Sequence, residues 1–158
     1  AHNTGQKIIP VVIDSYGGQV YSLMSMISTI KSSDLPIATI VEGKAMSCGA
    51  ILLSFGTEGY RFVDKDATVM IHDVSSGQLG KVEEVVASAK ETERLNAVVY
   101  KMMAQNCGKK DDYFLKLVDK KKHADWFLNA DECVKHGLAN HTRVPKISVN
   151  VDVAIEFE

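Results

Sequence analysis

An apolar, β-branched run that breaks at a glycine and restarts as a second apolar run leaves a chain few ways to fold, and residues 35–56 have this form. Pro36-Ile37-Ala38-Thr39-Ile40-Val41 reads as a buried strand. Past the break at Gly43, Ala50-Ile51-Leu52-Leu53 suits a buried helix. Ser47 lies between them, near the helix start, where free backbone N–H groups and the helix dipole favour developing negative charge. A nucleophile and an oxyanion site belong at such a point. An ordinary N-cap serine belongs there too. These residues alone leave both readings open.

Composition narrows the classes. With 158 residues and 46% hydrophobic content, the chain (1–158) is a single domain large enough for a real core. A formal net charge of -2 and a pI near 6.2 give no electrostatic case for nucleic acid or a membrane surface as partner. Three cysteines, Cys48, Cys107 and Cys133, are odd in number and lack metal-ligand spacing, which suits a reducing, cytoplasmic compartment. No apolar run reaches transmembrane length, and no secretory signal is visible. The sequence opens on Ala1 rather than Met, as a processed or trimmed piece does.

Strand and helix patterns alternate along the chain, which predicts an α/β architecture with crossover connections. Lys7–Asp14 is a short apolar strand, and Pro10 sets its start near a sheet edge. Ser15-Tyr16-Gly17-Gly18 is a turn, after which Val20, Leu23, Met24, Ile27 and Ile30 recur at helical spacing through Lys31. Tyr60–Val63 and Thr68–Ile71 read as short strands. Asp73–Gly80 is a loop or irregular ribbon, and Lys81–Asn106 is the longest helix, ended by Cys107-Gly108. Further helices are predicted over Lys110–Leu117 and Asn129–His136, with a charged turn at Asp119–His123 between them. Residues 146–157 alternate apolar and polar, the pattern of an added half-buried strand.

A serine hydroxyl needs a base, usually histidine, which a third group orients. Of five histidines, His72 stands out because it follows the strand Thr68-Val69-Met70-Ile71, at the carboxyl edge where α/β sites gather. A histidine satisfied by a backbone carbonyl is the competing reading. His2, His123, His136 and His141 lie in polar or terminal contexts and read as surface. Asp125 stands beside Trp126, Phe127 and Leu128, so partial burial and a partner are expected for it; a helix-start or turn aspartate fits as well.

These signals combine in one resemblance. Gly43-Lys44-Ala45-Met46-Ser47-Cys48-Gly49-Ala50, then Met70-Ile71-His72, then Asp125-Trp126-Phe127-Leu128-Asn129-Ala130 resembles the Clp protease proteolytic subunit family. Ile13-Asp14-Ser15-Tyr16-Gly17-Gly18 is similar to that family's Ile-Asn-Ser-Pro-Gly-Gly turn, and Asp131–Leu138 continues the likeness. It covers roughly residues 8–140. The departures are Tyr16 for proline, Asp14 for asparagine, extra residues around Asp119–His123, and a longer tail after Arg143. The match opens near the family's third strand, so its axial loops and first helix have no counterpart in these residues.

The resemblance implies a Clp/crotonase-type fold of repeated β-β-α units, with a projecting handle at about 73–107. It makes Ser47 the nucleophile, His72 the general base and then acid, Asp125 its orienter, and the amides of Gly18 and Cys48 the oxyanion donors. It further implies a homo-oligomer of stacked heptameric rings that cleaves unfolded polypeptides inside a chamber, fed by an AAA+ unfoldase. No metal or organic cofactor is called for, and ATP would be used by the partner. A Ser47–Lys44 dyad, a non-catalytic scaffold-type ring subunit and a crotonase-like acyl-CoA enzyme are the competing readings.

Overall fold

The computed structural model describes residues 5–149. Strands β1 (Ile9–Ser15), β2 (Ile37–Met46), β3 (Arg61–Val63), β4 (Thr68–Ile71) and β5 (Trp126–Leu128) form one sheet. Helices α1 (Val20–Lys31), α2 (Cys48–Ser54), α3 (Val82–Asn106), α4 (Tyr113–Lys120) and α5 (Ala130–His136) complete a mixed α/β fold. The sheet runs β1-β2-β4-β5, with β3 also paired to β2. All pairings are parallel except β4 with β5. As Pro10 requires, β1 lies at an edge.

Strand β2 is ten residues long and changes partners midway. Thr39, Ile40 and Val41 pair with β3, whereas Lys44, Ala45 and Met46 pair with β4. The switch coincides with an irregularity against β1: Ile13 faces Val41, but Ser15 faces Ala45. Glu42, Gly43 and Lys44 therefore bulge and re-aim the strand's end. Behind that end packs α2, which touches β1, β2, β4, α1 and α3. Val41, Ala45, Ala50, Leu53, Val63 and Val69 are fully buried there. On the sheet's other face Ala38, Ile40 and Phe62 make a smaller cluster with Ile8.

Helix α3 divides its apolar stripe. Leu95, Val99, Tyr100, Met103 and Ala104 enter the core, while Val82, Val85 and Val86 near its start stay exposed. Helix α4 starts three residues later than its spacing predicts, because Lys110–Asp112 form a turn, and it runs on through Asp119 to Lys120. The chain then turns through Lys122 and His123, at φ 56° and 58°. The three-residue β5 was not expected; it exists because it pairs with β4 and buries Trp126 and Leu128. Of the predicted tail strand, residues 146–149 have no regular structure and the remainder lies outside the described residues.

A buried cation ties the back of the molecule together. Arg61 is 2% exposed and donates to the carbonyls of Gly137 at 2.8 Å, Ser54 at 3.3 Å and Asn106 at 3.4 Å. Its Nε meets Asn140 Oδ1 at 3.2 Å, and Glu58 supplies the counter-charge. The ends of α2, α3 and α5 thus share one guanidinium, which satisfies carbonyls that helix termini otherwise leave open. Replacing Arg61 by Met is expected to cost about 3 kcal/mol, because several buried acceptors lose their donor together. Thermal unfolding should show this as a Tm lowered by roughly 10 °C; a loss of a degree or two would contradict the role.

Candidate active site

Ser47 sits between β2 and α2 with φ 54° and ψ -122°, a backbone conformation that non-glycine residues rarely adopt. Its N–H donates to the Met70 carbonyl at 2.8 Å, which fixes the turn to the end of β4. The hydroxyl makes no capping hydrogen bond, although the residue occupies the N-cap position of α2. The ordinary capping explanation therefore fails. A strained strand-to-helix turn that presents a serine hydroxyl has the form of a nucleophile elbow.

The neighbouring turn is shaped around this serine. At Gly17, with φ +108°, an added Cβ would come within 2.7 Å of the Ser47 Cβ and 3.2 Å of its Oγ. At Gly18 an added Cβ would meet nothing within 4 Å. Gly17 is therefore the position that excludes side chains, a distinction that the glycine pair does not reveal in sequence. The Gly17 N–H is taken by Ser15 Oγ at 3.1 Å. No backbone carbonyl among the described residues accepts from the Gly18 or the Cys48 N–H. The Cys48 thiol donates to the Gly18 carbonyl at 3.2 Å. Burial pushes its pKa up, so Cys48 is a packed thiol and not a thiolate nucleophile.

The sheet register brings the other two residues to the same edge. Met46 pairs with Met70, and Met70 with Phe127. Ile71 pairs with Trp126, so continuing the antiparallel register sets His72 opposite Asp125. His72 is half-buried. Asp125 is exposed, which corrects the expectation of partial burial: it precedes β5, whose side chains alternate so that Trp126 and Leu128 turn inward and Phe127 outward. Among the described residues no hydrogen bond joins Ser47 to His72 or His72 to Asp125.

The residue after His72 is strongly engaged. Asp73 accepts from Asn96 Nδ2 at 2.9 Å and lies 2.6 Å from His123 Nδ1, while Asn96 Oδ1 accepts from the Val74 N–H. This pairing spans fifty residues of sequence, and no local signal announces it. Between the 73–76 segment and α3 runs a cleft of about 470 Å³, lined by Asp73, Val74, Ser75, Thr92 and Asn96. His136, expected on the surface, is half-buried: it bonds Tyr113 at 2.8 Å and lies against Trp126. Desolvation lowers its pKa. His141 bonds the Gly59 carbonyl and stacks on Phe62; His2 lies outside the described residues.

Lys44, the alternative base, is otherwise occupied. Its ammonium meets Asp14 at 2.7 Å and lies 4.4 Å from the centre of the Tyr16 ring. The hydrogen bond to Asp14 raises the lysine pKa and lowers that of the aspartate. A general base must be neutral to accept a proton, so this environment works against a Ser47–Lys44 dyad. No group of three or more His, Cys, Asp or Glu side chains among the described residues could hold a metal, and no helix among them is long and apolar enough to cross a membrane.

Because Gly17 combines a positive φ with direct contact on Ser47, Gly17→Ala should destabilise the fold by about 1–3 kcal/mol. Gly18→Ala should change stability little. Denaturant unfolding of both variants checks this; equal losses would contradict the asymmetry.

Strand-to-helix serine, glycine turn and the edge carrying His72 and Asp125 all fall within the stretch that the Clp protease family model matches, residues 1–145. The chain belongs to the Clp protease family.

Proposed function

We propose that this chain is a serine endopeptidase that hydrolyses unfolded polypeptides to short peptides. Ser47 attacks the scissile carbonyl, and His72 takes its proton and returns it to the leaving amine. Asp125 orients the imidazole and stabilises its charged form. The Gly18 and Cys48 N–H groups hold the developing oxyanion, where preorganised donors matter most. The single observation that carries this reading is the uncapped Ser47 hydroxyl on its strained turn. Sheet register supports the other roles, since His72 and Asp125 continue the β4–β5 pairing. Catalytic hydrogen bonds are often long in an unliganded site and tighten when substrate binds.

The chamber belongs to the same proposal. Leu79, just before α3, is 97% exposed, and Val82, Val85 and Val86 are exposed on the helix's first turns; a handle between subunits of stacked rings would bury such residues. An AAA+ partner would unfold and deliver substrate, using its own ATP. Neither metal nor organic cofactor has a part in this chemistry, and the cytoplasm is the proposed location. One observation favours a second reading, a scaffold-type ring subunit: Asp125 is exposed and makes no hydrogen bond to His72.

Hydrolysis of a short fluorogenic peptide by the assembled protein separates the two. Ser47→Ala and His72→Ala should each lower kcat by about 10⁴-fold or more, with the double variant no worse than either. Asp125→Asn should lower it on the order of 10⁴-fold if the aspartate sets the imidazole tautomer. An assembled wild-type protein without turnover would support the scaffold reading.

A further inference from the structure

Two residues depart from the family-like turn, Asp14 and Tyr16, and both converge on one side chain. Lys44 Nζ lies 2.7 Å from Asp14 Oδ1 and 4.4 Å from the Tyr16 ring centre. Lys44 itself sits in the bulge where β2 leaves β3 and joins β4, three residues before Ser47. Asp14 and Tyr16 belong to the end of β1 and the turn that leads into Gly17 and Gly18. The same lysine therefore grips both sides of the site: the strand that presents the hydroxyl and the turn that carries the Gly18 amide.

We propose that Lys44 is a positioning residue, a latch that holds the Tyr16-Gly17-Gly18 turn against Ser47. The inference rests on the peptidase reading for its consequence, though not for its geometry. A proline at the turn's second position would restrict the backbone directly, by fixing φ. Tyr16 has no such restriction and is 76% exposed, so its ring needs an external hold. A cation over its face, itself anchored by a carboxylate, supplies one. Bulge geometry makes the hold local, because Gly43 packs its Cα against Asp14: a Cβ there would lie 3.3 Å from Asp14 Oδ1. Across the turn, the Cys48 thiol fixes the Gly18 carbonyl from the opposite side. Gly18 is thus held at its carbonyl by Cys48, and the turn that precedes it by Lys44.

An oxyanion donor acts in the transition state and little in the ground state. Loosening the turn should therefore lower kcat and leave KM nearly unchanged. Misplacement by a fraction of an ångström is expected to cost on the order of tenfold. Lys44→Met removes both contacts; Lys44→Arg keeps the cation and can still stack on the ring.

The test combines amide hydrogen exchange over residues 15–18 with peptide hydrolysis by the assembled protein. In Lys44→Met the turn should exchange faster and kcat should fall about tenfold at constant KM, with Tm nearly unchanged. Lys44→Arg should restore both. Unchanged exchange in Lys44→Met overturns the latch, even where wild-type turnover upholds the peptidase reading. Faster exchange with full turnover overturns the catalytic consequence. A wild-type protein without turnover, whose turn nevertheless loosens in Lys44→Met, overturns the peptidase reading and that consequence with it.

Discussion

The backbone at Ser47 is the constraint on which the site depends. A non-glycine residue at φ 54° costs on the order of 1–3 kcal/mol, and its surroundings must hold it there. Three neighbours do so. The Met70 carbonyl takes the Ser47 N–H, Gly17 admits the side chain by lacking its own, and buried α2 closes the space behind. Strain that persists without serving a helix cap is difficult to explain unless the hydroxyl has another use. The proposed role as a nucleophile would account for the cost.

That turn lies between an apolar back and a polar front. The back is apolar and ends in Arg61, whose guanidinium gathers the termini of α2, α3 and α5. The front is polar: Asp14, Tyr16 and Lys44 on one side, Asp73, Asn96 and His123 on the other. Strand β2 links back and front because it changes partners midway, and its bulge turns a buried strand toward the sheet edge. The site thus lies where one strand leaves its first neighbour for its second.

Much of this was legible in sequence, for physical reasons. The β-branched run 37–41, the helical spacing of α1 and the glycine after α3 are local signals, and the elements form there. Ser47 was legible as a strand-to-helix junction. Two kinds of feature were not legible. Short β5 owes its existence to pairing with β4, and three residues carry too little periodicity to announce a strand. The pairs Asp73–His123 and Arg61–Gly137 join residues far apart in sequence, so no local pattern encodes them. Asp125 shows the limit from the other direction. Its apolar neighbours suggested burial, yet strand alternation and its position before β5 leave it exposed.

An activated serine can be detected without knowing its substrate. The most direct measurement treats the assembled protein with a fluorophosphonate and locates the adduct by mass spectrometry. A single adduct on Ser47, absent from Ser47→Ala, is expected. Assembled protein that takes no label at Ser47, or labels equally at other serines, would contradict it.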